Sequence, residues 1–293
     1  MPDRQSEASP LATRFEAVVA AADGDTRPDW LATATTDPVV RDRLAEVAAV
    51  LAGDDEEPAT AYQTRLSAAE RAASGHFTTD PALATALSRW AIQPRADDAH
   101  PRVLDPATGS GVFTLAAHDR LAEIAPDQSA ADRLARIVGI DVDSIPLAVT
   151  AHRLLAGAAA DTAPLELYEA NFFDVVPGSS RSCSVTADEV VAGQFDAVVG
   201  NPPYVRQEHT DIDRARDHLG AFGPDGRTPY RDGDRALSRR SDAYVYFVTH
   251  ATRFLRDGGR LGVVVPAKWL TTRYGESFQR FLFDHYRVVG VVG

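Results

Sequence analysis

A chain of 293 residues with 44% hydrophobic content is long enough for one large α/β domain and an appendage. Its net charge of −12 taken alone argues against a nucleic-acid partner, because phosphate binding favours Lys and Arg. The single cysteine excludes a disulfide framework and a cysteine-ligated zinc site, and we predict no metal site. The sequence has no apolar run of ~20 residues and no signal-peptide core, so we predict a cytoplasmic protein that does not contact a membrane.

The chain begins with an Ala-rich, acidic stretch that has helical periodicity, residues 1–72. Its first 60 residues hold 13 acidic and 5 basic side chains, which is typical of a solvated surface. We therefore predict a helical N-terminal extension without a site of its own, followed by a catalytic domain over residues 73–293.

Short apolar runs then alternate with longer helical patterns. The predicted strands are Arg102–Leu104, Arg136–Ile140, Leu165–Tyr168, Phe195–Val199, Arg260–Val265 and Val288–Val292. The predicted helices are Val112–Ile124, Ile145–Ala156, Ala243–Leu255 and Gly275–Tyr286. Strands that alternate with helices predict βαβ units, and therefore an α/β fold with a Rossmann-like, doubly wound and mostly parallel sheet.

A glycine-rich turn follows the first predicted strand directly. Its sequence, Asp105-Pro-Ala-Thr-Gly-Ser-Gly111, is neither G-x-G-x-x-G nor a P-loop. Such a turn allows a ligand to approach the backbone closely, although it also serves as a tight connection between a strand and a helix. The Asp105 carboxylate would repel phosphate groups and attract a sulfonium or an amino group.

Two further strand ends add to this prediction. Asp141 ends the second strand, where a carboxylate can accept both hydroxyls of a ribose or can cap the next helix. Asn171 and Phe172 follow the third strand; the amide suits an adenine edge and the ring suits its face, although Phe172 also fits a core position. In register at three successive strand ends, these residues favour a ligand that contains adenosine.

The fourth strand ends in Gly200-Asn-Pro-Pro-Tyr204. An exocyclic amine on a base is a poor nucleophile, because its lone pair is delocalised into the ring. The Asn201 side-chain oxygen and the Pro202 carbonyl can accept its two hydrogens and aim the lone pair at a methyl donor. Pro203 helps to fix this backbone, and Tyr204 would stack on the planar target.

In this order the motifs resemble those of the class I adenine-N6 DNA methyltransferases of restriction–modification systems, in the γ arrangement. The resemblance covers about residues 70–293 and implies S-adenosylmethionine as cofactor and a flipped adenine in double-stranded DNA as target. The catalytic residues that it implies are Asn201, Pro202, Pro203 and Tyr204. The cofactor-binding residues that it implies are Phe77, Thr78, Thr79, Asp105, Ala107, Gly109, Gly111, Asp141, Asn171, Phe172 and Asn201.

Members of that family have a seven-stranded sheet, whose seventh strand lies between the fifth and the sixth. Val288–Gly293 matches the sixth strand. The resemblance therefore implies that the last strand and the target-recognition domain lie outside this sequence, and we expect a truncated chain that needs a C-terminal half or a specificity subunit.

Two other functions remain open. An Asn-Pro-Pro-Tyr methyltransferase can act on a protein glutamine amide or on the exocyclic amine of guanine in ribosomal RNA. A chain without its last strand could also bind the cofactor without transferring methyl groups. The proline after Asp105 and the long loop after Tyr204 favour DNA adenine.

The basic residues have an unusual composition. Lys268 is the only lysine, so 29 of the 30 basic residues are arginine, and 30 Asp stand against 12 Glu. This composition is typical of adaptation to high salt, although a GC-rich genome also favours arginine. Residues 205–241 hold eight arginines and seven acidic residues. We predict that Arg206, Arg239, Arg240 and Lys268 bind DNA phosphates; a salt-bridged surface loop is the alternative.

Overall fold

The computed structural model describes residues 79–95, 100–157, 165–175, 195–204 and 236–292. In chain order its helices and strands are α1 (Pro81–Ala91), β1 (Val103–Asp105), α2 (Val112–Ile124), α3 (Ala130–Leu134), β2 (Ile137–Asp141), α4 (Ser144–Gly157), β3 (Glu166–Glu169), β4 (Phe195–Gly200), α5 (Ala243–Ala251), β5 (Leu255–Val263) and α6 (Gly275–His285). Short 3-10 turns lie at Phe172–Asp174, Thr252–Phe254 and Ala267–Leu270. The predicted N-terminal extension lies outside the described residues.

The five strands form one sheet in the order β3-β2-β1-β4-β5, and every neighbouring pair is parallel. The doubly wound α/β fold predicted from the sequence is therefore confirmed. The chain builds β2 and β3 on one side of β1 and then β4 and β5 on the other side. Sheets of this kind bind ligands beyond the carboxyl ends of the strands where this direction reverses, which is between β1 and β4.

Helices cover the central strands on both faces. Val103 and Ile137 belong to a core cluster that includes residues of α1 and α2. Leu104 and Val138, their neighbours in sequence, belong to a second cluster that includes residues of α5 and α6. Because both faces are buried, these strands consist of continuous apolar runs, which is why the sequence reveals them. No helix within the described ranges is long and apolar enough to cross a lipid bilayer.

Helix α1 is absent from the sequence-based prediction, although it has a clear start. Asp80 caps it by accepting a hydrogen bond from the Ala82 backbone N at 2.8 Å, and Pro81 occupies the first turn. The helix packs against α2 and β5. This packing holds Thr79, the residue before the cap, beside the end of β4, where its hydroxyl contacts Asn201.

The prediction for the fifth strand is wrong at its start. Helix α5 ends at Ala251, and β5 begins at Leu255 rather than at Arg260. The pairing of β5 with β4 is irregular in this part, and Gly258 adopts a left-handed φ of 75°. Because the first half of β5 is polar and includes a glycine pair, it has no apolar pattern that would indicate a strand.

The predicted strand Val288–Val292 does not form. Its four valines are exposed, from 40% for Val288 to 94% for Val292. An extended segment becomes a strand only when a neighbouring strand pairs with its backbone, and β5 is the edge of the sheet within the described residues.

Candidate functional site

The glycine-rich turn lies at the reversal point of the sheet, between β1 and α2. Gly111 caps α2 with a φ of 84°, and an added Cβ would lie 2.7 Å from the Thr150 hydroxyl oxygen. Gly109 has a φ of 52°, but no atom lies within 4 Å of the position that a Cβ would take. Gly111 is therefore required for packing against α4, whereas Gly109 leaves open space next to the backbone, where a ligand can approach.

Hydrogen bonds from two neighbouring elements fix this turn. The Gly109 backbone N donates to Asp141 Oδ2 at 2.7 Å, and the Thr108 backbone N donates to the Ile140 carbonyl at 3.0 Å. From α4, the Thr150 hydroxyl donates to the Gly109 carbonyl at 3.0 Å, and the Arg153 guanidinium donates to the Ser110 carbonyl. The turn thus has a fixed shape before any ligand arrives.

Asp105 ends β1 directly below this turn and is only 1% exposed. The Thr114 hydroxyl donates to its Oδ2 at 2.8 Å, and its Oδ1 would lie 3.0 Å from a Cβ placed on Gly200. Burial raises the pKa of this carboxyl to about 7, against the opposing effect of the hydrogen bond from Thr114. The Asp105 carboxyl is therefore only partly ionised at neutral pH when no cation lies close to it.

Acidification from pH 8 to pH 6 is expected to stabilise the ligand-free chain through Asp105. Because the folded state raises the pKa of this carboxyl, the folded chain takes up a proton at a pH where the unfolded chain stays ionised. The free energy of unfolding should therefore rise by about 1 kcal/mol from this group as the pH falls through 7, opposite to the usual effect of an aspartate.

Urea denaturation at pH 6, 7 and 8 measures this effect. The variant Asp105→Asn is neutral at every pH, so it should lose this part of the dependence and should be more stable than the natural chain at pH 8. Equal pH dependence in the two proteins would contradict the role given to Asp105.

Further carboxylates follow the ends of the adjacent strands. Asp141, 8% exposed, accepts a hydrogen bond from the Asp143 backbone N at 3.0 Å in addition to the bond from Gly109. Burial, followed by the charges of Asp143 and Asp141, raises the pKa of Glu169 at the end of β3. This edge of the sheet is consequently electronegative, and it favours a cationic ligand over a pyrophosphate.

The residues after β3 differ in their surroundings. Asn171 is exposed, and its Oδ1 accepts a hydrogen bond from the Phe173 backbone N at 3.1 Å. The Phe172 side chain is 3% exposed, and its ring centroid lies 4.8 Å from that of Phe247 and 5.1 Å from that of Phe254. Of the two interpretations of Phe172, the structure supports core packing, because the side chain is almost completely buried among other core residues.

Asn201 is held by hydrogen bonds on both ends of its amide. Its Nδ2 donates to the Thr79 hydroxyl at 3.0 Å, and its Oδ1 accepts a hydrogen bond from the Tyr204 hydroxyl. The same hydroxyl lies 3.2 Å from the Val264 carbonyl oxygen. Burial raises the pKa of Tyr204 to about 12, so this hydroxyl keeps its proton at any working pH. The arrangement fixes the side-chain oxygen of Asn201 at the carboxyl end of β4.

A narrow cleft adjoins Asn201. Residues of the turn, of the end of β4 and of α5 line it: Pro106, Ala107, Gly200, Asn201, Pro202, Phe247, Val248 and Ala251. The part that α5 plays in lining this cleft could not be predicted from the sequence, because its apolar residues are equally typical of a core helix.

The structure brings together Thr79, Asp105, Asp141 and Asn201 at one edge of the sheet. Phe77, Thr78 and Arg206 lie outside the described residues. Arg239, Arg240 and Lys268 are exposed. Trp269 is buried against Phe278, at 5.5 Å between ring centroids.

Known proteins resemble this chain in sequence and in fold. It is 33% identical to the type II methyltransferase M.BstVI of Geobacillus stearothermophilus over 105 residues, and this match covers 36% of this chain and 17% of that protein. It is 27% identical to the type II methyltransferase M.BanIII of Aneurinibacillus aneurinilyticus over 191 residues, and this match covers 65% of this chain and 29% of that protein. The matched part is thus less than a third of either relative's length.

Two solved structures share the fold. A cryo-EM structure of a DrdV–DNA complex matches 94% of this chain and 31% of its own, with a TM-score of 0.64 and 16% identity. The crystal structure of a Listeria monocytogenes protein that is assigned as a class I S-adenosylmethionine-dependent methyltransferase matches 94% of this chain and 72% of its own chain, with a TM-score of 0.51 and 14% identity. The sequence profile of the Eco57I restriction-modification methylases matches residues 135–292. Since that match spans more than half of the sequence, the chain belongs to the Eco57I restriction-modification methylase family.

Proposed function

We propose that the chain is the catalytic part of a DNA methyltransferase that transfers a methyl group from S-adenosylmethionine to adenine N6, within a restriction–modification system in the cytoplasm. The observation that most strongly supports this proposal is the fixed amide of Asn201 at the reversal point of the sheet, beside the glycine turn. The relatives are type II methyltransferases, and one structural neighbour is bound to DNA.

The described residues fit S-adenosylmethionine. Asp105 suits a positively charged amino or sulfonium group, and Asp141 suits the ribose hydroxyls. Gly109 leaves open space for the approach of the ligand, and the rim of carboxylates would repel a phosphate-containing nucleotide. When bound, S-adenosylmethionine supplies an electrophilic methyl group on a sulfonium sulfur.

The residues after β4 would prepare the amine. Asn201 Oδ1 and the Pro202 carbonyl oxygen accept the two N6 hydrogens, so that the nitrogen lone pair leaves the ring and points towards the methyl donor. As the nitrogen–carbon bond formed, the sulfur–carbon bond of the donor would break, and one amine hydrogen would then leave as a proton to water. No strong base is therefore needed before that point. Pro203 keeps the backbone in place, and Tyr204 stacks on the base.

Arg239, Arg240 and Lys268 are proposed to contact the DNA backbone. Residues on either side of the two arginines form hydrogen bonds with residues that follow Lys268. The Tyr274 hydroxyl donates to Asp242 Oδ2 at 3.0 Å, and the Ser238 backbone N donates to the Ser277 hydroxyl at 3.2 Å. The residues beside these cations are therefore in contact, and the three cations themselves are exposed. We propose that recognition of the DNA sequence depends on regions outside the matched part of the relatives.

Calorimetry with S-adenosylmethionine in molar salt, together with transfer of a tritiated methyl group, tests the proposal. Mixed-sequence double-stranded DNA, ribosomal RNA and a glutamine-containing peptide serve as parallel substrates. We expect binding of the cofactor and label in N6-methyladenine from DNA. Label in guanine would show that ribosomal RNA is the substrate, and label in glutamine would show that a protein is the substrate. Binding of the cofactor without methyl transfer would indicate a cofactor-binding fragment. A folded chain that does not bind the cofactor would overturn the proposal.

A further inference from the structure

His250 joins α5, which lines the cleft, to the turn that follows β3. It lies on α5 and is completely buried, and its Nε2 lies 3.0 Å from the Phe172 carbonyl oxygen and 2.8 Å from the Val175 carbonyl oxygen. Carbonyl oxygens only accept hydrogen bonds, so Nε2 carries the proton and shares it between the two. Its other ring nitrogen, Nδ1, lies 3.4 Å from Arg253 Nη1, which only donates. The partners on both sides therefore select the neutral tautomer with its proton on Nε2.

Both carbonyls belong to the turn that follows β3. This turn is short, with backbone hydrogen bonds from Asp174 to Asn171 at 2.8 Å and from Val175 to Phe172 at 3.1 Å. The His250 ring also packs edge-on against Phe172, at 4.7 Å between ring centroids. The imidazole thus fixes the turn to the helix by its proton and by its ring.

The same helix forms a wall of the cleft. Phe247, one turn before His250, lines the cleft beside Asn201, and its ring lies 4.8 Å from Phe172 and 5.8 Å from Phe173. The turn after β3 and the α5 wall of the cleft therefore keep a constant relative position as long as His250 holds the two carbonyls.

We propose that His250 is a positioning residue, which holds the turn at Asn171 against α5 so that the adenosine part of the cofactor meets two walls at a fixed separation. The inference rests on the proposed binding of S-adenosylmethionine. It assigns to His250 no contact with the cofactor, and no part in the transfer itself.

Two substitutions separate this role from general stability. His250→Leu fills the volume but removes the proton, whereas His250→Gln can place an amide N–H near the position of Nε2. Thr249→Val is the matched control, because Thr249 is equally buried on the same helix but donates only to the Val245 carbonyl, at 2.8 Å. S-adenosylhomocysteine and 5′-methylthioadenosine, which lacks the amino acid end, are the probes, and calorimetry well below each melting temperature gives the dissociation constants.

We expect His250→Leu to weaken both probes about tenfold, because two buried carbonyls lose their donor and the turn moves. His250→Gln should stay within about threefold of the natural chain, and Thr249→Val should lower the melting temperature without changing either dissociation constant. If the natural chain binds the probes and His250→Leu binds them equally well, the positioning role is wrong. If the natural chain binds neither probe, the proposed function fails instead.

A measurement on the natural chain covers the case in which His250→Leu does not fold. Two-bond proton–nitrogen spectra of chain labelled at histidine nitrogen should identify the Nε2–H tautomer for His250, and S-adenosylhomocysteine should shift its ring signals. A proton on Nδ1, or ring signals that do not respond to bound probe, would overturn the inference.

Discussion

Replacing Asn201 with alanine is expected to slow methyl transfer to DNA by about a thousandfold, while the chain still binds S-adenosylmethionine. The substitution removes the oxygen that is proposed to accept an N6 hydrogen, and it leaves Thr79 and Tyr204 without the amide that joins them. The lost interaction matters most once the amine nitrogen becomes a nucleophile, so the rate should fall far more than the affinity. Single-turnover transfer at saturating cofactor and DNA measures this rate.

Two further variants identify which property of Asn201 matters. Asn201→Asp keeps an acceptor for the amine and can accept a hydrogen bond from the Thr79 hydroxyl, so it should be less impaired than Asn201→Ala. Thr79→Val keeps the shape but removes the acceptor of Asn201 Nδ2, and a loss of about tenfold is expected because the amide is then less well oriented. A rate for Asn201→Ala within tenfold of the natural chain would exclude the proposed chemistry.

Replacing Asp141 with alanine is expected to weaken S-adenosylmethionine binding about a hundredfold. The substitution removes the proposed acceptor of the ribose hydroxyls. It also leaves the backbone N–H groups of Gly109 and Asp143 without their carboxylate, so that the glycine turn loses one of the hydrogen bonds that fix its shape. Calorimetric titration gives the dissociation constant, and thermal unfolding of the same samples verifies that the variant is folded.

The isosteric variant Asp141→Asn is the control for this prediction. Its single carbonyl oxygen can accept from Gly109 or from Asp143 but loses one of the two bonds and the charge, so an intermediate loss of about tenfold is expected. A folded Asp141→Ala variant with the affinity of the natural chain would mean that the carboxylate serves only to hold the backbone N–H groups of Gly109 and Asp143.

The fold could be predicted where local pattern and burial agree. The central strands are apolar on both faces, and α2 begins and ends exactly at the predicted residues because a glycine cap fixes its start. The prediction fails where pairing alone decides. Pairing of Leu255 with Phe195 of β4 extends β5 back across a polar, irregular stretch, whereas the far more apolar Val288–Val292 stays unpaired within the described residues.

Much of the candidate site could be predicted as well, because its polar residues stand at strand ends that a parallel sheet brings together. Asp105, Asp141 and Asn201 are of this kind. The surroundings of Phe172 and the roles of Phe247 and His250 could not be predicted, since they depend on how α5 is rotated against the turn after β3. Rotation of that kind arises from packing between distant segments and leaves no periodic trace in the sequence.

On the proposed function, the hydrogen bond between Tyr204 and Asn201 affects how the chain would distinguish one base from another. In the ligand-free chain the tyrosine hydroxyl already occupies the oxygen that the amine would need, and the Val264 carbonyl lies close enough to receive the same proton after a rotation about the C–O bond. An entering amine that displaces the tyrosine hydroxyl therefore exchanges one hydrogen bond for another at Asn201 Oδ1, and only its bond to the Pro202 carbonyl is gained. We expect a base without an exocyclic amine to bind more weakly by about one hydrogen bond and to fail in the transfer step. Most of the discrimination is then expected in the turnover rate, and such bases are expected to act as weak competitive inhibitors.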